Sequence, residues 1–227
     1  MIIVVEAPDG AGKSTVSKLL VEKIKSLGWA SRLCREPGGT RFGEAARPLL
    51  LDKGLALCSE AQTLLFTASR MQLLDEILPA LATGRVLVFD RFDYSTIAYQ
   101  VYAGCMPAHF VTMLNQQCRA KVALHRKTEN LALHDIEGFH LVVSPEIAAQ
   151  RLAQTGKTGD RFESQGDEYR AKLRQAYTDL EDPFCAAEFG VSNLTPIDAS
   201  VSPAEVVDAI MAHVLPHLKA HPMQASG

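Results

Sequence analysis

The chain alternates short unbroken apolar runs with longer stretches of helical spacing. Ile2-Ile3-Val4-Val5 is apolar on both faces and ends in a glycine-rich turn, as a buried strand would. Val86 to Phe89 is a second such run, finishing on Asp90. Further strands are predicted at 30–34, 140–143 and 194–197. In 14–27 the residues Val16, Leu19, Leu20, Ile24 and Leu27 share one helical face, and Gly28 stops the helix. A long helix is predicted over 59–82. Ser59 and Gln62 have capping-box spacing at its start, and Pro79 is expected to kink its last turn. Helices are also predicted at 93–103, 107–117, 145–154 with proline first, 167–180 and 203–218.

Strands alternating with helices mark an α/β fold: a parallel sheet of five strands with helices on both faces. One domain is expected over residues 1–227, with a frayed tail. Two stretches interrupt the alternation. Residues 118–138 have mixed patterning and carry His125 and His134; they are read as an insertion, a hairpin or a loop with a short helix, serving as solvated surface or subunit contact. Residues 155–166 are polar and contain glycine, which reads as a loop.

Composition narrows the function. Apolar residues make up 47% and the net charge is −3, which fits a globular protein and argues against a nucleic-acid coat. Five cysteines without a C-x-x-C pair point to a reduced, cytoplasmic setting. No run approaches a membrane span and no signal-peptide pattern is present, so no membrane partner is expected.

The chemistry concentrates in EAPDGAGKST, residues 6–15. Strand, glycine turn, Gly12-Lys13-Ser14 and amphipathic helix are the context of a phosphate-binding loop. The backbone N–H groups of residues 10–15 and the helix N-terminus attract anions. Lys13 reaches outer phosphates and the Ser14 hydroxyl suits Mg²⁺. Ala7 stands where the pattern wants glycine; leaving a strand, it is expected to keep φ below zero. Asp90, at the carboxyl end of its strand, is placed to hold Mg²⁺ or its water shell, although a helix cap would also explain it. Arg91 beside it is a fork-shaped donor for a phosphoryl group.

With REPGGT (35–40), LLFTASR (64–70), DRFDYSTIAYQ (90–100) and GDRFE (159–163) following in order, the chain resembles the thymidylate kinase family. The type is the bacterial one, with the catalytic arginine in the lid. The resemblance implies a nucleoside monophosphate kinase of the P-loop NTPase type, with a lid at 155–166, using ATP as donor and dTMP as acceptor with Mg²⁺. It implies that Asp9, Gly10, Ala11, Gly12, Lys13, Ser14 and Thr15 hold the donor phosphates, Asp9 also contacting the acceptor sugar. Arg35, Glu36, Pro37, Arg47 and Arg91 would surround the acceptor phosphate. Phe66 would stack on the base, Arg70 donate to its O4, Thr96 and Gln100 bond its N3/O2 edge, and Tyr99 crowd a 2′-hydroxyl. Lys157 and Arg161 would close over the donor phosphates, Arg161 being the catalytic arginine because the phosphate loop has none. A homodimer is implied by analogy.

Four departures qualify the match: Ala7, Ser144 where an acid is common, the longer region 118–138, and Phe92 where histidine or tyrosine is usual. They leave open a divergent or phage-like member, or a pocket tuned to dUMP or a 5-substituted dUMP. A deoxynucleoside kinase and a non-catalytic nucleotide-binding protein are the other readings. The arginines around REPGGT favour a phosphorylated acceptor over the first, and Lys13, Ser14, Asp90, Arg91 and Arg161 argue against the second.

Overall fold

The computed structural model describes residues 1–129, 136–154 and 159–219. Five parallel strands form one sheet: β1 (Ile2–Glu6), β2 (Ser31–Arg35), β3 (Val86–Asp90), β4 (Ile136–Val142) and β5 (Thr195–Asp198), ordered β2-β3-β1-β4-β5. The helices are α1 (Lys13–Ser26), α2 (Arg41–Leu51), α3 (Ser59–Ile77), α4 (Pro79–Ala82), α5 (Asp93–Thr96), α6 (Ala108–Thr128), α7 (Pro145–Gln154), α8 (Asp167–Asp179), α9 (Pro183–Glu188) and α10 (Pro203–Lys219). A π-helical segment, Ile97–Tyr102, continues α5.

Side chains alternate along each strand and so feed two cores. Ile2, Val4, Leu87 and Phe89 meet Leu73 and Leu74 of α3, Cys118 and Val122 of α6 and Tyr177 of α8. Ile3, Val5, Val86 and Val88 meet Val16, Leu20 and Ile24 of α1 and Ile210 and Val214 of α10. The register sets Arg35 beside Asp90, Asp90 beside Val5, and Glu6 beside His140. Acidic and basic groups thus share the carboxyl edge of the sheet, next to β1, where the strand order reverses. That is where ligands bind in open α/β sheets.

The insertion expected at 118–138 is corrected. Residues 118–128 continue α6, and 136–138 open β4. Val111, Asn115, Cys118, Val122 and Arg126 are buried at helical spacing, so one face runs unbroken past the predicted end. His125 lies on α6, half-buried; His134 is outside the described residues.

Two helices are additional. Thr40 caps α2 by accepting from Gly43 N at 2.9 Å, and Asp182 caps α9 by accepting from Phe184 N and Cys185 N. The long helix breaks at Leu78, just before Pro79. No helix among the described residues is long and apolar enough to cross a membrane.

Candidate active site

The turn between β1 and α1 is wound by two glycines with positive φ, Gly10 at 88° and Gly12 at 89°. A Cβ on Gly10 would lie 2.5 Å from the carbonyl oxygen of Ala148, so the loop packs directly on α7. Ala7 is not among the residues with positive φ, and its methyl is buried in the α1 core. Alanine therefore fits there without strain.

Lys13 Nζ donates to Pro8 O at 2.9 Å and lies 3.4 Å from Asp9 Oδ1. Ser14 Oγ donates to Asp90 Oδ2 at 2.6 Å. Two oxygens, one in the first turn of α1 and one at the end of β3, are thereby held side by side.

Asp9 is the centre of the site. Arg91 Nη2 bonds its Oδ1, and Tyr99 Oη donates to its Oδ2 at 3.1 Å. Burial opposes ionisation of Asp9, but Arg91 and Lys13 outweigh it and hold the carboxyl well below the usual range. Arg91 has φ 73° and its guanidinium sits 5.0 Å from the Tyr99 ring centroid. A non-glycine residue in the left-handed region needs support from its surroundings. Glu6 supplies it. This fully buried carboxylate accepts from Phe92 N at 2.7 Å, Ser95 N at 3.2 Å, Ser95 Oγ at 2.6 Å and Tyr177 Oη at 3.0 Å. Burial pushes its carboxyl up, against the pull of Arg91 and these bonds.

Beyond Arg91 the cavity lining continues to β2 and α3. Arg70 is buried; its Nε donates to Glu36 Oε2 at 2.7 Å, Nη1 to Asn115 Oδ1 at 3.1 Å and Nη2 to Phe92 O at 2.9 Å. Arg47 Nη1 donates to Pro37 O at 2.7 Å, and Arg35 pairs with Glu44 at 2.8 Å. The Glu36–Pro37 peptide is cis. Gln100 is buried, 3.4 Å from Thr63 Oγ1, and Thr96 is buried nearby on α5.

One cavity of about 600 Å³ joins these groups. That is ample for small ligands. Asp9, Gly10, Ala11, Gly12, Lys13, Ser14, Thr15, Arg35, Glu36, Pro37, Arg47, Phe66, Arg70, Asp90, Arg91, Thr96, Tyr99 and Gln100 all line it. Lys157 lies outside the described residues.

Arg161, expected over the donor phosphates, is the exception among the described residues. It does not line the cavity; its Nε donates to Asp52 O at 3.1 Å, and Nη2 reaches Asp52 O at 2.5 Å and Leu55 O. Carbonyls at and past the carboxyl end of α2 have no partner within the helix, and a guanidinium fork satisfies two at once.

Other residues escaped the sequence reading. Arg151 of α7 lines the cavity, 3.5 Å from Ala11 O and beside Gly12. Its one signal is being the single basic residue of 145–154, next to the lid loop. Ala199 and Val201 of the β5–α10 connection and Pro203 and Val206 of α10 add apolar lining to the cavity. Glu6 and Tyr177 are 171 positions apart, and neither carries a local sign of the other.

Fold and site together define a nucleotide kinase of the P-loop class: a phosphate loop on a five-stranded parallel sheet, opening into a second pocket rich in arginine and aromatic rings. A family model described as thymidylate kinase matches residues 5–210. Curated relatives agree. The thymidylate kinase of Symbiobacterium thermophilum is 34% identical over 218 residues, 93% of this chain and 92% of that protein. That of Caldanaerobacter subterraneus subsp. tengcongensis is 37% identical over 180 residues, 79% of this chain and 80% of that protein. That of Synechococcus sp. strain JA-3-3Ab is 34% identical over 221 residues, 97% of this chain and 98% of that protein. The chain belongs to the thymidylate kinase family.

Proposed function

We propose that the chain transfers the γ-phosphoryl group of ATP to the phosphate of dTMP, giving dTDP and ADP. The observation that carries this reading is the junction at Asp9 and Arg91. It lies where the phosphate loop meets the arginine- and aromatic-lined pocket within one cavity.

The acceptor phosphate oxygen attacks the γ-phosphorus as the bond to the bridging oxygen of ADP breaks. A phosphate dianion is already a nucleophile near neutral pH, so positioning and charge neutralisation supply the catalysis. Lys13 neutralises the donor's outer phosphates. Arg91, braced by Glu6, spans donor and acceptor phosphates. Asp9 holds Arg91 and Tyr99 in place and offers its carboxylate to the acceptor sugar. Arg35 and Arg47 face the acceptor phosphate, and Phe66 packs on the base. The apolar wall at Ala199–Val206 takes the donor base, and Arg151 serves the donor phosphates in the role first expected of Arg161.

The Ser14 Oγ and Asp90 Oδ2 pair fits Mg²⁺, which takes few protein oxygens and completes its shell with water and phosphate. Once bound there, Mg²⁺ would offset charge on the β- and γ-phosphates.

We also propose a homodimer. Phe42 and Leu49 of α2, Leu64 of α3 and Met113 and Leu124 of α6 are exposed apolar side chains on helices packed beside one another. Light scattering on a sizing column tests it.

A coupled ADP-release assay across dTMP, dUMP, dCMP, dGMP and thymidine tests the reaction. Turnover with dTMP above all others is expected. Turnover with thymidine but not dTMP would replace the reading with a nucleoside kinase.

A further inference from the structure

Phe162 lies in the GDRFE turn, which the sequence resemblance assigns to ATP. Its ring nevertheless faces the other pocket. The Phe162 centroid is 5.9 Å from that of Phe66 and 5.5 Å from that of Tyr99, the latter edge-to-face at 87°. Tyr169 closes the same group, 6.4 Å from Tyr99. Phe162 lines the shared cavity and is half-buried.

The turn that carries it is built as a unit. Asp160 Oδ1 accepts from Phe162 N at 2.9 Å and Glu163 N at 3.0 Å, and Glu163 Oε2 accepts from Asp160 N at 3.2 Å. The unit is fastened to α2. Arg161 N donates to Leu51 O at 3.2 Å, and the guanidinium grips the carbonyls of Asp52 and Leu55. Leu51 and Arg47 of that same helix line the cavity, and Arg47 ties it to Pro37. Phe162 therefore links α2 and the Pro37 loop to the rings of Phe66 and Tyr99 in one connected lining.

We infer that Phe162 contacts the acceptor nucleotide, closing the aromatic pocket over its pyrimidine ring, and that Arg161 positions Phe162 by anchoring the turn to α2. A planar base with two π-faces gains from edge and tilted contacts with surrounding rings. This rests on the proposed reading of that pocket as the acceptor site. It moves Asp160–Glu163 from the donor side to the acceptor side, and leaves the phosphate loop to Lys13 and Arg151.

Calorimetric titration separates the inference from the reaction. Wild type, Phe162→Ala, Phe162→Tyr and Arg161→Ala are titrated with dTMP and, separately, with a non-hydrolysable ATP analogue. Phe162→Ala is expected to bind dTMP about tenfold more weakly, the size of one lost aromatic contact. Its affinity for the analogue should stay within about twofold, which also shows that the variant is folded. Phe162→Tyr should restore dTMP binding. Arg161→Ala should weaken dTMP binding in the same direction but less, because the Arg161 N to Leu51 O bond remains. In turnover assays both losses should appear as a raised KM for dTMP at near-normal kcat. Unchanged dTMP affinity in Phe162→Ala, or weakened analogue binding instead, would overturn the inference. If wild type binds dTMP but does not phosphorylate it, the proposed reaction fails while the titrations still decide the role of Phe162.

Discussion

Tyr177 of α8 donates its hydroxyl to Glu6 Oε2 at the end of β1, at 3.0 Å. The bond closes over the back of Arg91, whose Nη1 is 3.4 Å from the same hydroxyl. His140 stacks on the Tyr177 ring at 5.2 Å and bonds Glu181 just past α8, so the carboxyl end of α8 is pinned to the sheet edge. Arg91 thus sits in a preformed socket, and in the proposed reaction that would leave little reorganisation to be done.

Removing that hydroxyl tests the socket. Tyr177→Phe keeps the ring stack but leaves one bond of a buried carboxylate unmade. It should cost about 1–3 kcal/mol in urea unfolding. It should also lower kcat about tenfold, with KM for ATP little changed. A stability loss at normal kcat would restrict Tyr177 to folding.

The donor side makes its own demand. Lys13→Met should lower kcat at least about a hundredfold, as loss of a preorganised charge donor does. Arg151→Ala should raise KM for ATP and lower kcat while leaving dTMP binding intact, the opposite split from Phe162→Ala. Initial rates over a grid of both substrates measure this.

Chelation by EDTA should abolish turnover, and added Mg²⁺ should restore it. Asp90→Asn removes the charge from the Ser14–Asp90 pair. That variant should need severalfold more Mg²⁺ for half-maximal rate. An unchanged Mg²⁺ requirement would place the ion elsewhere.

Glu36 carries a pH dependence. Burial pushes its carboxyl up to about 7 from an ordinary 4.5, despite Arg70, and its Oε1 has no hydrogen-bond partner among the described residues. The folded chain then keeps a proton on Glu36 that the unfolded chain has released. The stability from this group is full below about pH 4.5 and is lost as pH rises through 7. Glu36→Gln keeps an acceptor for Arg70 and cannot ionise. Relative to wild type it should gain on the order of 2 kcal/mol between pH 5 and pH 8. Urea midpoints at each pH would show a constant offset instead if Glu36 stayed ionised throughout.

Asp93 is wholly buried and bonded by Arg119, with Nε to Oδ2 at 2.5 Å and Nη2 to Oδ1 at 3.1 Å. The pair ties α6 to the start of α5, two residues from Arg91. Arg119→Met should cost on the order of 3 kcal/mol, because it strands a buried carboxylate. Arg119→Met with Asp93→Asn should recover part of that loss, measured as a double-mutant cycle.

The strands, the phosphate loop and most helices were legible because their signals are local. Ile2–Val5 needs only its own apolar run, and Gly10 and Gly12 need only the turn they make. α6 was cut short at 117 because charged residues interrupt the apolar pattern beyond it, and even its buried face carries Arg126 beside Cys118 and Val122. Apolar counting stops at such positions. α2 was missed because its start is a capped turn after a glycine pair rather than an apolar period.

The sequence alone determined which groups are available: Lys13, Ser14 and Asp90 as candidates for phosphate and metal, Asp9 and Arg91 at the junction, Phe66, Arg70 and Tyr99 beyond it. Only the tertiary structure decided where the GDRFE turn is fastened. Its arginine serves whichever oxygens lie within reach of the guanidinium, and those are the carbonyls of Asp52 and Leu55, more than 100 positions earlier. A side chain's charge is written in the sequence, but its partner is set by which distant backbone groups the fold leaves unpaired.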